Sequence, residues 1–170
     1  LAQYFKVSIQ TIRLDRLELG IPEMRKRIIS LAQSASSKVK ALTKKEIIGD
    51  LIDIELGKSG ISTLYTTKEM AFDKNNLVRS QYIFSLADSL AMSIVDSDVV
   101  LTGIARLRYK KPVYAGDLLV AKANIATKKS NKFLISIHIK SNNTEVFTAK
   151  FIMVSLENPL VNHAMALKNF

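Results

Sequence analysis

The sequence predicts an α+β fold in which an antiparallel sheet wraps around one long buried helix. From about residue 47, apolar and polar residues alternate as they do in strands with one covered face. The run from Arg79 to Val95 is apolar nearly all round, which is typical of a buried helix. Because the first 45 residues have helical spacing instead, we place the domain boundaries at 1–20, 21–45, 46–157 and 158–170.

The composition is that of a chain with one core and few reactive groups. With 170 residues, 48% of them hydrophobic, the chain can bury a single good core. It has no cysteine, which excludes disulfides, thiolate metal sites and cysteine nucleophiles. No apolar run approaches the roughly 20 residues that span a bilayer. We therefore expect a cytoplasmic protein with no structural metal and no membrane partner.

Positive charge is concentrated at the front of the chain. The net charge is +10, and residues 1–45 carry ten Lys or Arg against three Asp or Glu, whereas residues 46–170 carry 15 against 12. A basic front fits a polyanionic partner, because phosphate contacts release counterions. A merely solvated basic surface fits the charge equally well, so the order of the residues must decide.

The front of the chain reads as three short helical segments. Ser8 is a suitable N-cap for the second one, because its hydroxyl can accept from a free backbone amide. The third runs roughly from Pro22 to Lys40 and carries an apolar stripe that includes Ile28 and Leu31. It is predicted to be an amphipathic linker helix.

Strands are predicted on both sides of the buried helix. Before it, Ile52, Ile54 and Leu56 alternate, and Ile61 to Tyr65 forms a second extended piece. After it, turn-forming segments separate four runs that we expect to form an antiparallel meander. These runs are Val99 to Tyr109, Leu118 to Thr127, Lys132 to Lys140 and Glu145 to Leu156.

The first fifteen residues form a specific motif. Their order, close to LAxxFxVSxxTIRxD, resembles the second and third helices of a DeoR-type helix-turn-helix. The resemblance implies a recognition helix in the major groove of double-stranded operator DNA. Because the first helix of that motif is missing, we expect further residues upstream. The residues that would contact DNA are Ser8, Gln10, Thr11, Arg13 and Arg16.

A second motif, ARLRYKKPVYAGDLLVAKANI, spans Ala105 to Ile125. It resembles the strand-turn-strand of hotdog-fold domains, in which PVxxGD makes a tight turn. Gly116 allows a positive φ and Asp117 can bond backbone amides, so we expect both to be structural. The resemblance implies a domain that pairs into a homodimer and binds acyl thioesters of coenzyme A or of acyl carrier protein in tunnels at the dimer interface.

Together, the two motifs and the linker helix between them resemble the FapR family of bacterial transcriptional repressors. The resemblance covers the chain up to about residue 157. It implies a homodimer without catalytic activity or cofactor, which represses fatty-acid and phospholipid biosynthesis genes. Binding of malonyl-CoA, or of malonyl-carrier protein, in the hotdog tunnel would release the operator.

The family's effector-binding motif, close to FxxxxxxARGHxLFAQANSL, corresponds here to FDKNNLVRSQYIFSLADSL. The match implies that Arg79 pairs with the malonyl carboxylate, a task suited to a planar bidentate donor, and that Phe72 shapes the pocket wall. Phe84 also matches. Two positions depart from the family: Ser80 replaces a glycine and Asp88 replaces an asparagine. An ionised Asp88 near malonate would repel it unless it is protonated or paired.

Asp88 also supports a different function. Gln81, Ser85, Asp88 and Met92 share one stripe of the buried helix, and such a stripe requires a partner surface or a ligand. Many hotdog thioesterases use a carboxylate on this helix as general base or nucleophile. An acyl-CoA thioesterase that uses Asp88 is therefore the alternative, and a hydrated dimer interface is the structural explanation of the same stripe.

Overall fold

One long helix, α1 (Ser80–Ser93), lies against the inner face of a six-stranded antiparallel sheet. The structure is a computed structural model that describes residues 34–156. Ile83, Leu86, Leu90 and Ile94 of the helix segment are buried in the core. The prediction of an antiparallel sheet around one buried helix is confirmed. The strands are β1 (Asp50–Glu55), β2 (Ser59–Tyr65), β3 (Val99–Tyr109), β4 (Leu118–Lys129), β5 (Lys132–Ser141) and β6 (Thr144–Leu156).

The strand order in the sheet is β1-β2-β4-β5-β6-β3. Only β4, β5 and β6 form the predicted meander, because β3 lies beyond β6 and does not pair with β4. The segment after β3 passes the N-terminal end of α1, so β4 pairs with β2 instead of β3. The pairing runs from Ser59 opposite Asn124 to Tyr65 opposite Leu118. The helix is thus covered by strands from both halves of the domain.

Side-chain alternation holds in β5 and fails in β1. In β5, Phe133, Ile135, Ile137 and Ile139 are all buried, as the period-two pattern predicts. In β1 the register shifts between Leu51 and Asp53, so one extra residue intervenes. This bulge places Leu51 and Ile54 in the core, instead of the predicted alternation of residues 52, 54 and 56.

The helical part of the linker ends earlier than its apolar stripe predicts. Helical conformation is described for residues 34–36 and is followed by turns, whereas the prediction extended to Lys40. The Ser37 hydroxyl donates to the carbonyl of Ser34 at 2.9 Å, and such local bonds compete with helix continuation. The predicted helix-turn-helix, most of the linker and the tail from residue 157 lie outside the described residues.

Strand β3 is an edge strand with an apolar surface. Within residues 34–156 it pairs with β6 alone, through ten register partners. Leu101 and Ile104 are each 53% exposed and Leu107 is 42% exposed. An 11-residue edge of this kind presents unpaired backbone groups that proteins normally cover.

Candidate effector site and family membership

Arg79 is fastened to the turn that precedes α1. It is the N-cap residue of the helix, and its own N–H donates to the carbonyl of Met70 at 2.9 Å. Its guanidinium donates from Nε to the same carbonyl at 3.4 Å, and from Nη2 to the carbonyl of Glu69 and the hydroxyl of Tyr82. The guanidinium carbon also lies 5.2 Å from the centre of the Tyr82 ring. The cation is thereby held at the positive end of the helix dipole.

A cavity of about 480 Å³ opens at this end of the helix. Its apolar wall includes Phe72, Leu77, Ile83 and Val113, and its polar groups come from Ser80, Lys110 and Lys111. The first turn of α1 contains no acidic residue, so its free amides leave a partial positive charge beside the cavity. An apolar chain that ends in an anionic group matches this lining.

Tyr109 connects β3 to the start of the helix. Its hydroxyl donates to the carbonyl of Ser80 at 3.1 Å, and its ring packs edge-on against Phe147 with centroids 5.0 Å apart. Burial raises the pKa of the Tyr109 phenol, against a smaller opposing effect of the Ser80 side chain. Tyr109 therefore stays a neutral hydrogen-bond donor in the cavity wall.

Two of the predicted effector residues, Phe84 and Asp88, lie further along α1. The Phe84 ring packs against Phe151 with centroids 5.9 Å apart. Asp88 accepts the hydroxyl of Thr102 on β3 at 2.5 Å, and the same hydroxyl lies 3.3 Å from the sulfur of Met153. Asp88 is half-buried and is not among the residues that line the cavity.

The turn after β3 directly follows the segment that lines the cavity. Gly116 has φ +98°, Asp117 accepts the N–H of Tyr114 at 2.9 Å, and both structural roles predicted for this turn are confirmed. The fully buried Thr66 places its hydroxyl 2.8 Å from the carbonyl of Tyr114 and 2.9 Å from that of Asp117. These bonds fix the segment that contributes Lys110 to Val113.

On the outer face of the sheet, Glu145 joins two basic groups. Lys110 donates to one of its oxygens, and His138 Nδ1 lies 2.6 Å from the other. These two partners lower the pKa of Glu145 to about 2. His138 is thus a surface residue in a hydrogen-bonded cluster with Glu145.

The structure brings some of the predicted site residues together and separates others. Phe72 and Ser80 share the cavity, Arg79 lies beside it in its own hydrogen-bond cluster, and Phe84 and Asp88 face β6 and β3. Sequence reasoning missed Tyr109, Lys110 and Lys111 as cavity residues. The signal was available, because these residues directly precede the PVYAGD turn. The predicted DNA-contacting residues lie outside the described part of the chain.

Residues 34–156 contain neither a candidate metal site nor a candidate membrane-spanning helix. Over that range no group of three or more His, Asp or Glu side chains is arranged to hold a metal ion. None of the helices described there is long and apolar enough to cross a membrane.

Solved structures share the fold. The uncharacterized protein PH1136 from Pyrococcus horikoshii has 34% sequence identity and a TM-score of 0.65 over 71% of this chain and 92% of that one. The protein smu.793 from Streptococcus mutans UA159, bound to acetyl CoA, has 20% identity and a TM-score of 0.59, and covers 64% of this chain and 89% of its own. The described domain is a hotdog domain.

Curated relatives are similar over most of the chain. No protein-family model matches it. A relative from Thermoanaerobacter sp. strain X514, named transcription factor FapR, is 50% identical over 157 residues, which are 92% of this chain and 78% of the relative. A protein of the same name from Halalkalibacterium halodurans is 41% identical over 153 residues, which are 90% and 82% of the two chains. The chain therefore belongs to the FapR family of transcription factors.

Proposed function

We propose that this protein is a cytosolic transcriptional repressor of bacterial fatty-acid and phospholipid biosynthesis genes, which leaves its operator when malonyl-CoA or malonyl-carrier protein binds the hotdog domain. The observation that carries the proposal is the similarity to transcription factor FapR over about nine-tenths of the chain. The basic front and its helix-turn-helix pattern support DNA as the partner of residues 1–45.

The proposed effector is an anionic acyl thioester. In favour of it, the cavity at the start of α1 is mainly apolar and has Lys111 at its polar side, next to Lys110, whose ammonium is paired with Glu145. Arg79 and the free amides of the first helical turn add positive charge at the same end. The structural neighbour from Streptococcus mutans binds acetyl CoA, which makes a CoA thioester a reasonable ligand for this fold.

We propose a homodimer formed through the edge of β3. The exposed apolar residues of this strand and its unpaired backbone fit a second copy of the same edge. The stripe of Ser85 and Asp88 on α1 would then face the partner subunit instead of water.

Release of DNA would be a shift between two populations. An effector favours release only if it binds more tightly to the conformation that cannot sit on the operator. The linker is the proposed moving element, because Ala35 at its end is buried in the hotdog core and Lys40 bonds Asp96 at 2.6 Å. The rest of the linker's apolar stripe would pack either on this domain or on another surface, depending on the conformation.

The thioesterase alternative is less well supported. Asp88 is already engaged by Thr102, and it lies outside the lining of the cavity at the helix start. A catalytic base would have to reach a water beside the thioester.

The deciding experiment measures binding and turnover together. Malonyl-CoA, acetyl-CoA and malonyl-carrier protein are titrated by calorimetry, free thiol is followed in parallel, and release of a labelled duplex is followed by fluorescence anisotropy. Malonyl-selective binding that releases DNA without thiol release is expected. Steady thiol release would support the enzyme instead.

A further inference from the structure

We propose that the hairpin between β4 and β5, residues 128–132, is a second DNA-contacting surface that binds the phosphate backbone. We call this segment, KKSNK, the lysine hairpin. The inference rests on the proposed DNA-binding function and assigns part of it to the hotdog domain, outside the predicted helix-turn-helix. It follows from the position, the charge and the backbone geometry of the hairpin.

The lysine hairpin lies at the end of the domain where the linker arrives. A polar cavity of about 850 Å³ has Lys40 of the linker on one side and Lys128 and Asn131 of the hairpin on the other. Asp96, Ser97 and Asp98, which lie a few residues beyond the C-terminal end of α1, line it as well. The candidate effector cavity is at the opposite, N-terminal end of the helix. Ligand and linker thus occupy different ends of one domain.

The backbone conformation and the residue pairing of the lysine hairpin are energetically unfavourable. Ser130 has φ +53°, a conformation that is uncommon outside glycine and asparagine. Lys129 and Lys132 face each other directly across the turn, and like charges in that position are destabilising. Strain of this kind persists where the surrounding structure fixes it, and it clusters at functional sites.

The neighbouring hairpin shows that the fold does not require this arrangement. The turn between β5 and β6 has Asn142 at φ 47° and Asn143 at φ 62°, residues that tolerate the left-handed region. Its closing pair, Ser141 opposite Thr144, is neutral. A two-residue turn in this sheet can therefore be built without lysines and without a serine at positive φ.

The hairpin is held rigidly enough to present its charges. The Asn131 side chain donates to the carbonyl of Ser155 on β6 at 3.0 Å, and the Ser155 N–H donates to the carbonyl of Asn131 at 2.9 Å. The Lys128 ammonium lies 5.1 Å from the centre of the Phe133 ring. Among the ion pairs of residues 34–156, none involves Lys128, Lys129 or Lys132. Asp96 and Asp98 line the cavity beside Lys128 without pairing with it, so three cations on a fixed turn remain available to successive phosphates.

DNA suits this surface better than an acidic protein does. The chain that carries the predicted base-reading residues enters the domain at this end, so the lysine hairpin is close to the connection that leads to them. An acidic protein that delivers an acyl chain would instead need to dock near the effector cavity at the other end. Phosphate contacts outside the recognition helix position a protein on the duplex without reading sequence.

The test compares the salt dependence of DNA binding in two charge-matched variants of the full chain. The probe is a labelled duplex that the wild-type protein selects from a random pool. In the hairpin variant, Lys128, Lys129 and Lys132 are changed to Gln; in the control, the exposed Lys68, Lys74 and Lys140 near the other end are changed to Gln. The slope of log K against log salt should become shallower by about 0.9 for each lysine that contacts a phosphate.

We expect a weaker complex and a shallower slope in the hairpin variant, and an unchanged slope in the control and in a Lys-to-Arg hairpin variant. A hairpin variant with the wild-type slope overturns the inference and leaves the proposed function standing. Equal losses in both Gln variants overturn it too, because they indicate only a long-range field. If the hairpin variant keeps the wild-type slope but binds an acidic carrier protein more weakly, the partner of this surface is a protein and not DNA.

Folding is checked with one further variant. Because Lys129→Gln removes the repulsive pair opposite Lys132, its melting temperature should equal or exceed that of the wild type. A lower melting temperature would show that the pair stabilises the hairpin and would contradict the argument from strain.

Discussion

The hydroxyl of Thr102 donates to a carboxylate oxygen of Asp88 at 2.5 Å, which joins the central helix to the edge strand β3. Asp88 occupies the position at which the family motif has an asparagine. An asparagine could accept the same hydroxyl through its side-chain oxygen. Thr102 is therefore compatible with either residue, and what distinguishes them is the charge.

Asp88→Asn should strengthen the binding of malonyl-CoA. The substitution keeps the acceptor for Thr102 and removes a negative charge that would repel the malonyl carboxylate. Nine helical residues, about 13 Å, separate Asp88 from Arg79, and at that distance one like charge is worth about 0.3 kcal/mol at the dielectric constant of water, which corresponds to a Kd lower by less than about twofold. Calorimetry with malonyl-CoA and acetyl-CoA measures it, and the affinity for acetyl-CoA should change less. Weaker malonyl-CoA binding in Asp88→Asn would show that the carboxylate helps to hold the ligand.

Arg79→Ala should lower the free energy of unfolding and should also abolish the preference for malonyl-CoA, for two different reasons. The guanidinium donates to two backbone carbonyls and to Tyr82, so its loss leaves the turn before α1 less constrained. At about 1 kcal/mol net per typical hydrogen bond, reduced by partial exposure, urea unfolding should show a loss of about 1–2 kcal/mol. The preference for malonyl-CoA over acetyl-CoA should disappear, because the cation proposed to pair with the carboxylate is gone.

The matched variant Arg79→Lys keeps the charge but not the planar fork. It should recover part of the malonyl preference and little of the lost stability. Operator binding should survive in both variants once the protein is folded. A parallel loss of operator binding and ligand binding would contradict the role assigned to Arg79.

Glu145 makes the domain sensitive to acid. Its pKa is lowered to about 2 in the folded protein, against an ordinary value of 4.5, because Lys110 and His138 favour the charged form. A group with a lowered folded-state pKa stabilises the protein fully above its unfolded-state pKa and loses that effect as the pH falls. The contribution should therefore fade between about pH 4.5 and pH 2.

NMR titration of the Glu145 carboxyl carbon checks this directly, with an expected midpoint of about 2. The urea midpoint of Glu145→Gln should fall less steeply over the same pH window than that of the wild type. A carboxyl midpoint near 4.5 would mean that the two basic partners do not hold Glu145 in solution.

The regular parts of this domain follow from the sequence because their signals are local. The alternation of Phe133, Ile135 and Ile137 identifies the inner face of β5, and the continuous apolar run identifies α1. The bulge at β1 was not predictable in this way. A single inserted residue changes the register without changing the composition, so Leu51 replaced its neighbour in the core.

The candidate site was predictable only in part, for a different reason. Phe72 and Ser80 belong to one motif, whereas Lys110 and Val113 reach the same cavity from the segment after β3, about thirty residues further along the chain. The main partners of Arg79 are backbone carbonyls of a short turn, which leave no trace in residue identity. Motif matching finds the residues that a site shares with relatives, and tertiary contacts decide what each one bonds.

Thr66→Val should destabilise the domain through the turn that follows β3. The buried Thr66 hydroxyl can donate to the carbonyl of Tyr114 or of Asp117, and valine of similar shape removes this donor while each carbonyl keeps its backbone N–H partner. The loss of one such hydrogen bond should cost about 1 kcal/mol net. Urea unfolding measures the loss, and the exposed neighbour Thr67→Val, whose side chain makes no capping hydrogen bond, is the control. Equal stability of the two variants would assign the turn's rigidity to Asp117 alone.

Lysines on the edge of β3 should convert the proposed homodimer into a monomer. Ile104 and Leu107 are 53% and 42% exposed in the single subunit, and pairing of two β3 edges would bury both. Losing about 1.5 kcal/mol or more of apolar burial at each site should weaken the dimer at least about a hundredfold. Sedimentation velocity of the double variant Ile104→Lys, Leu107→Lys measures this.

The control for that variant is Tyr65→Lys. Tyr65 is 63% exposed but lies on β2, which is flanked by β1 and β4 and has no free edge. It should leave the dimer intact, while the double variant sediments as a folded monomer with an unchanged circular dichroism spectrum. Dissociation by both would indicate a general effect of added charge, and dissociation by neither would place the dimer contact elsewhere. Because the α1 stripe would face the partner across this edge, a monomeric double variant should also bind malonyl-CoA more weakly.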